Sequence, residues 1–527
     1  MPAGPAAPAP PLQGRPTILG HPRGLFVLFF AEMWERFSYY GMRALLIFYL
    51  TKHWLFSDSQ AALVYGAYTS LVYITPVLGG WLADRYLGQR KAVLYGAVLL
   101  TMGHFLMAFE GEGGQADPAI NIFWAALAFI IVGSGFLKAN ISVIVGQLYP
   151  RTDVRRDGAY TIFYVGINVG AALGTIVAGY LGETYGWAYG FGAAGLGMLL
   201  GLVVFVLGKP LLEGRGESPA PEALDRAIAG VRFELWIYAL SLLAVAGIWL
   251  LIQFQGFYGQ LLLAGGTLLL LYVLREAARL DRHARERIYA LLFLIALQPI
   301  FWGLFEQAGG SINLFTDRYV DRGGVPATIF QSINPIYIIL LGPLFAGMWT
   351  WLARRGLEPS TPAKFGLALV QVGFSFVLLV WGANSVGPAA LVPVVFIFLL
   401  YLFQTTGELF LSPVGLSAMN RLAPRHMASL IMGAWFYAAA GGNYVAGLIG
   451  RATGGEEGEM TRAGALAIYS EIGWITIGTG LVVLLVSPFV RRLMHLETLA
   501  DDETPQASMQ AQEGQAQEGQ AREGMRA

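Results

Sequence analysis

The chain has no cysteine, which excludes a disulfide framework and a thiolate metal site. Charge is scarce: 13% of residues are Asp, Glu, Lys or Arg, where soluble domains carry about 25%. The 34 basic and 34 acidic residues cancel, so no net field points to a nucleic acid or another soluble polyion. Six histidines include no pair at metal-ligand spacing. Alternating apolar and polar stretches are missing too, which excludes an outer-membrane barrel. What abounds is apolar side chain, at 56% of the sequence. It is gathered into runs that repeatedly reach the ~20 residues a bilayer helix needs.

Fourteen spans are expected, near residues 25–51, 59–84, 91–109, 119–149, 157–182, 187–208, 233–254, 257–274, 288–316, 326–353, 365–383, 390–420, 427–450 and 464–490. An even number puts both termini on one side, and the Lys/Arg bias identifies that side. Of the 34 basic residues, 24 fall on the terminal side and 5 on the other, so both termini are expected to be cytoplasmic. The fold expected is an all-α polytopic membrane protein divided six, two and six. Residues 25–208 and 288–490 form the two bundles, and 209–287 carries cytoplasmic linkers with two extra helices. That pair is apolar all round and reads as lipid-facing. Residues 1–24 are rich in Pro and Ala and do not read as a cleavable signal. The tail 491–527, with its repeated Gln-Glu-Gly, reads as disordered like the N-terminus.

A few ionised groups interrupt the apolar runs. Glu32, Glu35, Arg36 and Arg43 share the first span, and at 3.6 residues per turn they fall largely on one side, with Tyr39 and Tyr40. Lys138 is the buried cation of the fourth span, Glu306 the ionisable group deep in the span 288–316, the seventh when the linker pair is left out, and Glu408 its counterpart in the span 390–420, the tenth on that count. Each costs roughly 2.5–3.5 kcal/mol at mid-membrane, so seven unpaired charges would cost on the order of 20 kcal/mol. They must pair or titrate across a wet cavity between the halves. The cations come from the N-terminal half, whereas Glu306 and Glu408 come from the C-terminal half. Two six-span halves meeting at a polar seam are the sequence pattern of a rocker-switch transporter.

Two signatures sharpen this. Gly80-Trp81-Leu82-Ala83-Asp84-Arg85-Tyr86-Leu87-Gly88-Gln89-Arg90-Lys91 resembles the loop motif of the major facilitator superfamily. Six segments in order are similar to motifs of proton-dependent oligopeptide transporters. These are Glu32-x-x-Glu35-Arg36-Phe37-Ser38-Tyr39-Tyr40-Gly41, Gly135-Phe136-Leu137-Lys138-Ala139-Asn140, and Gly166-Ile167-Asn168-Val169-Gly170. Phe301-Trp302-Gly303-Leu304-Phe305-Glu306-Gln307, Gln331-Ser332-Ile333-Asn334-Pro335 and Gly407-Glu408-Leu409-Phe410-Leu411-Ser412-Pro413 complete the set. The resemblance runs from residue 25 to about 490 and includes the extra helix pair of bacterial members. It implies the major facilitator fold in a bacterial inner membrane.

On that resemblance the chain is expected to be a proton-coupled importer of di- and tripeptides, acting as a monomer, without cofactor or metal. The charge polarity suits a zwitterion. A peptide carboxylate is expected against Arg36 and Lys138 with Arg43 nearby, because a guanidinium grips a carboxylate through two bonds. The ammonium is expected at Glu408, helped by Asn168 and Asn334. Tyr39, Tyr40, Tyr73, Trp302 and Trp435 are expected to line side-chain pockets. Coupling is assigned to Glu306 paired with Arg43 or Lys138, with Glu32, Glu35 and Arg36 as a second relay. Asp84 and Arg85 are expected to gate the cytoplasmic side. The second span lacks the histidine of some relatives, and His104 in the third reads as hydrogen-bonded to a neighbouring helix, so coupling rests on carboxylates. Ala439 stands where some relatives offer a hydroxyl. A fourteen-span drug/proton antiporter and an anion symporter stay open as alternatives. An intramembrane enzyme has no nucleophile–base pair to rest on, and a channel would lack the fixed central site.

Overall fold

A computed structural model of the chain describes residues 17–498 apart from 151, 152 and 154. The expected disorder of residues 1–16 and 499–527, and the side assigned to Arg151, lie outside these residues. Fourteen long helical segments match the fourteen expected spans. Those of the first half are α1 (Arg23–Phe48), α2 (Asp58–Leu82), α3 (Gln89–Met107), α4 (Ile120–Gln147), α5 (Arg155–Tyr185) and α6 (Trp187–Leu207). The linker pair is α7 (Phe233–Leu251) and α8 (Gln255–Ala277). The second half holds α9 (Arg282–Tyr319), α10 (Ile333–Arg354), α11 (Thr361–Ser385), α12 (Val395–Leu422), α13 (Ala428–Thr453) and α14 (Arg462–Leu493).

Eleven of the fourteen are long and apolar enough to cross a bilayer by length and composition alone; α1, α3 and α13 fall short. The reason is plain in α1, which carries four ionisable residues in its middle. Those residues are buried, so protein rather than lipid solvates them. The α9 segment is not one helix, as expected, but three pieces and a tight turn: Arg282–Ala296, Gln298–Phe305, Glu306–Gly309 and Ser311–Tyr319. Pro299 cannot donate a backbone bond at the first break, and Gly309-Gly310 loosens the second. Glu306 therefore sits at a fracture, where freed backbone groups keep the site polar.

Some expected irregular segments are ordered. Thr17–Ile18 pairs with His21–Pro22 ahead of α1, which begins at Arg23, and His21 Nδ1 lies 2.7 Å from the Tyr149 hydroxyl. At the far end α14 continues through Arg491 and Arg492 to Leu493. The linker contains a turn at Lys209–Leu212, a short helix Pro221–Asp225 and a hairpin of Ala227–Ile228 with Val231–Arg232.

Within the first half α1 runs along α5 and α6, and α3 along α4; in the second, α11 runs along α14 and α12. The halves meet through α2 against α13. Their crossing needs glycine: a Cβ on Gly66 would lie 2.6 Å from the Cα of Gly447. Polar ties between halves gather at the end poor in Lys and Arg. Arg318 donates to both oxygens of Asp58 at 2.6 and 2.8 Å, and Lys52 pairs with Asp317 at 2.7 Å. Glu183 accepts from the backbone of Ala327 and Thr328 at 3.3 and 2.8 Å. At the basic-rich end, side-chain hydrogen bonds among the described residues stay within a half or reach the linker. Among the described residues, the polar ties between the halves thus gather at one end.

The linker pair divides its allegiance, with α7 on α4 and α8 on α13 and α2. Leu240, Leu243, Leu263 and Leu268 are exposed on its outer surface, as the uniform apolarity predicts.

Gly66→Val should force α2 off α13. Overpacking of this kind costs about 1–3 kcal/mol, and the expected outcome is a thermal unfolding midpoint several degrees lower in detergent. Gly247→Val, whose Cβ meets nothing within 4 Å, should leave that midpoint unchanged.

Candidate functional site

The 3.6-residue repeat of α1 stacks Glu32, Glu35 and Arg36 on adjacent turns, and the geometry follows. Arg36 Nε donates to Glu32 Oε1 at 2.8 Å and lies 2.7 Å from Glu35 Oε2. All three side chains are at least 95% buried. One nitrogen serves both carboxylates, so Nη1 and Nη2 of the guanidinium make no hydrogen bond or ion pair among the described residues. Glu32 Oε2 and Glu35 Oε1 are buried without hydrogen-bond partners. Lys138 comes from α4 and lies 3.8 Å from the ring centroid of Tyr73 and 6.0 Å from that of Tyr39.

Two turns further along α1, Arg43 crosses the seam. Its Nη2 meets Glu306 Oε2 at 2.5 Å, and its Nε donates to the Tyr65 hydroxyl at 2.7 Å. The Tyr40 ring stands 5.5 Å from the guanidinium carbon. Of the two partners expected for Glu306, the structure selects Arg43. On the other side, Asn334 Nδ2 donates to Thr405 Oγ1 at 3.0 Å and to Glu408 Oε2 at 3.1 Å. Asn168 Nδ2 donates to the carbonyl of Tyr164 at 3.0 Å, one turn back.

These groups surround a cavity of about 150 Å³ between the halves. Tyr40, Arg43, Tyr73 and Asn168 line it from the first half, and Trp302, Glu306, Asn334 and Glu408 from the second. Eight of the expected site residues therefore converge. Four expected substrate contacts do not line it: Arg36, Tyr39, Lys138 and Trp435. Arg36 and Tyr39 lie on α1 beside the lining residue Tyr40, whose ring is 5.2 Å from that of Tyr39, whereas Lys138, half-buried on α4, lies over the ring of the lining residue Tyr73. Trp435 packs inside the second half, 6.2 Å from the Phe365 ring. Its ring fills the space above Gly415, where a Cβ would strike it at 2.0 Å.

Sequence reasoning missed Tyr164, Thr175, Gln331 and Tyr401, which also line the cavity. Tyr164 precedes Asn168 by one turn and Gln331 opens a motif already singled out, so helical spacing carried a signal for both. Tyr65 was missed as the partner of Arg43, although it lies two turns before Tyr73 on α2.

The loop residues have local partners. Asp84 accepts from Gln89 at 2.7 Å; Gln147 donates to Gln89 Oε1 at 3.2 Å and accepts from the backbone of Gly216 at 2.8 Å. Arg85 donates to the Tyr86 hydroxyl at 3.1 Å and stays exposed. Arg90 grips Glu217 through two bonds of 2.7 and 2.8 Å, and Lys91 pairs with Glu234 at 2.8 Å. No group of three His, Cys, Asp or Glu able to hold a metal occurs among the described residues.

The model of the POT family matches residues 90–457. The chain belongs to the POT family. It is similar to the peptide transporter YePEPT of Yersinia enterocolitica, at 35% identity over 92% of this chain and 97% of that protein. It is 30% identical to dipeptide and tripeptide permease B of Edwardsiella piscicida, over 91% of this chain and 97% of the relative. Its fold superimposes on a crystal structure of a mutant peptide transporter POT in complex with alafosfalin. The TM-score is 0.77 at 33% identity, covering 91% of this chain and 97% of that one. As a POT-family member the chain is a multi-pass membrane transporter of the major facilitator type, not an enzyme.

Removing one partner of a buried pair leaves an uncompensated charge, at a cost of about 3–5 kcal/mol. Arg43→Ala should therefore lower thermal stability clearly. The double variant Arg43→Ala/Glu306→Gln, which removes both charges, should recover most of the loss.

Proposed function

We propose that this chain is a proton-coupled symporter that imports di- and tripeptides by alternating access. It would act as a monomer in the bacterial inner membrane with cytoplasmic termini, driven by the proton gradient without a cofactor. The observation that carries the reading is the central cavity, bounded by a cross-seam ion pair on one side and by Glu408, Asn334 and Asn168 on the other. A carboxylate with amide neighbours in a water-limited chamber is a receptor for an ammonium group. The names of the similar proteins, peptide transporters and a dipeptide and tripeptide permease, agree with that class of ligand.

In this reading the peptide ammonium sits at Glu408 with Asn168 and Asn334. Its carboxylate draws on the open edge of the Arg36 guanidinium and on Lys138, which reaches the wall when its side chain turns from the Tyr73 ring. Tyr39 then steadies Arg36 from behind, its ring 5.9 Å from the guanidinium carbon. Tyr40, Tyr73 and Trp302 face the peptide's side chains. Trp435 shapes the pocket from behind by fixing α12 against α11.

Protonation of Glu306 cancels its attraction for Arg43, the tie nearest the cavity between the halves. A peptide carboxylate competing for Arg36 frees Glu32 and Glu35 for a second proton step. On the cytoplasmic side, Asp84 with Gln89 and Gln147 stiffens the loop that must move when the halves rock, and Arg85 faces the solvent there. One proton moving inward down 100 mV yields about 2.3 kcal/mol, which corresponds to roughly fiftyfold accumulation of a neutral zwitterion.

Proteoliposomes loaded with the protein should accumulate labelled di-alanine under an imposed inward proton gradient. Glu306→Gln should abolish accumulation above the outside concentration while leaving peptide exchange at equal concentrations. Gradient-driven accumulation by that variant would remove Glu306 from coupling. Competition by drugs and not by dipeptides would point instead to the antiporter reading.

A further inference from the structure

Helix α8 does not lie flush against the second half. Between its Gly259–Val273 stretch and the facing sides of α9 and α13 runs a groove of about 550 Å³, floored by Ile295, Pro299, Ala434 and Gly441. At ~1.5 Å per residue the stretch covers about 21 Å, most of the ~30 Å hydrocarbon core. The groove therefore lies within the membrane, and its rim residues Leu263 and Leu270 are 74% and 45% exposed.

Little on its wall can hold water. The polar side chains lining it are Thr267, Tyr437 and Tyr444. Each hydroxyl is already committed to a backbone carbonyl: Thr267 to Leu263 at 2.8 Å, Tyr437 to Leu262 at 2.6 Å and Tyr444 to Gln255 at 3.0 Å. Water filling this volume would number about eighteen molecules at ~30 Å³ each, with no side-chain donor to meet them and only the lone pairs of three hydroxyls to accept from them. An empty groove would forfeit the dispersion contacts of the whole lining. The occupant must be apolar, elongated and available from the side.

We propose that this groove seats one acyl chain of a membrane phospholipid, which completes the packing between α8 and the second half. The α8 helix also touches the first half, where the Tyr258 hydroxyl lies 2.6 Å from Ser70 Oγ on α2. The chain thus fills the wedge beneath a helix that bridges both halves.

The test uses the full protein in phosphatidylglycerol/phosphatidylethanolamine vesicles carrying a phospholipid with a photoreactive diazirine midway along one acyl chain. Adducts are mapped by mass spectrometry. The expected result is labelling of floor residues, the Ile295–Pro299 and Ala434–Gly441 peptides, at several times the yield their small exposure would give. Adducts confined to the rim, or spread over all lipid-facing helices in proportion to exposure, would overturn the proposal. A Cβ on Gly441 meets only Pro299 Cγ, at 3.9 Å, so Gly441→Leu fills the groove without striking backbone. It should cut floor labelling about fivefold or more, whereas Gly247→Leu on α7 should leave it unchanged. Equal labelling in both variants also overturns it. If Gly441→Leu fails to fold, the floor-to-rim ratio of the unaltered protein decides alone.

Discussion

The Arg43–Glu306 pair is the constraint on which the rest of the architecture depends. In a low-dielectric interior neither charge is tolerable without the other, so the two halves are held together where these side chains meet. Around that pair the chain has arranged Tyr65 as a hydrogen-bond partner and Tyr40 as an aromatic neighbour. A contact made of charge can be switched by adding a proton, whereas a hydrophobic contact cannot. In the proposed cycle that switch is what offsets the insertion cost of ionised groups in a membrane segment.

The same end of the bundle is reinforced by Asp58 with Arg318, Lys52 with Asp317, and the close glycine crossing of α2 and α13. These ties lie beyond the cavity, towards the basic-poor end, and they close it there. At the other end, side-chain hydrogen bonds among the described residues run within each half or to the linker. Alternating access in the proposed cycle therefore exchanges charge–charge and glycine-mediated contacts at one end for new ones at the other. The broken α9 places Glu306 at the joint between its pieces, where the α-helical hydrogen bonding is already interrupted.

Much of this was legible in the residues. Apolar runs and the Lys/Arg bias located fourteen segments within a few residues of their observed ends, because span length is dictated by bilayer thickness. The convergence of Arg43, Asn168, Glu306, Asn334 and Glu408 on one cavity was also readable, since unpaired charges at membrane depth have few places to go. What was not legible is rotation. Arg36 and Tyr39 share a motif with the cavity residue Tyr40, yet about 100° per residue separates facing the chamber from facing the rest of the first bundle, and Lys138 stands on a helix that contributes no lining residue. Trp435 failed for a different reason: a large ring opposite Gly415 satisfies packing as well as it would satisfy a ligand. The fracture of α9 was visible in Pro299 and Gly309-Gly310, but hydropathy averages over such breaks.

The linker pair adds a mechanical consequence. Arg90 clasps Glu217 on the chain leading into α7 and Lys91 clasps Glu234 in its first turn, while Tyr437 and Tyr444 fasten α8 to the other bundle. A hairpin pinned at both sides works as a leash. Any movement of one bundle against the other must draw on its slack.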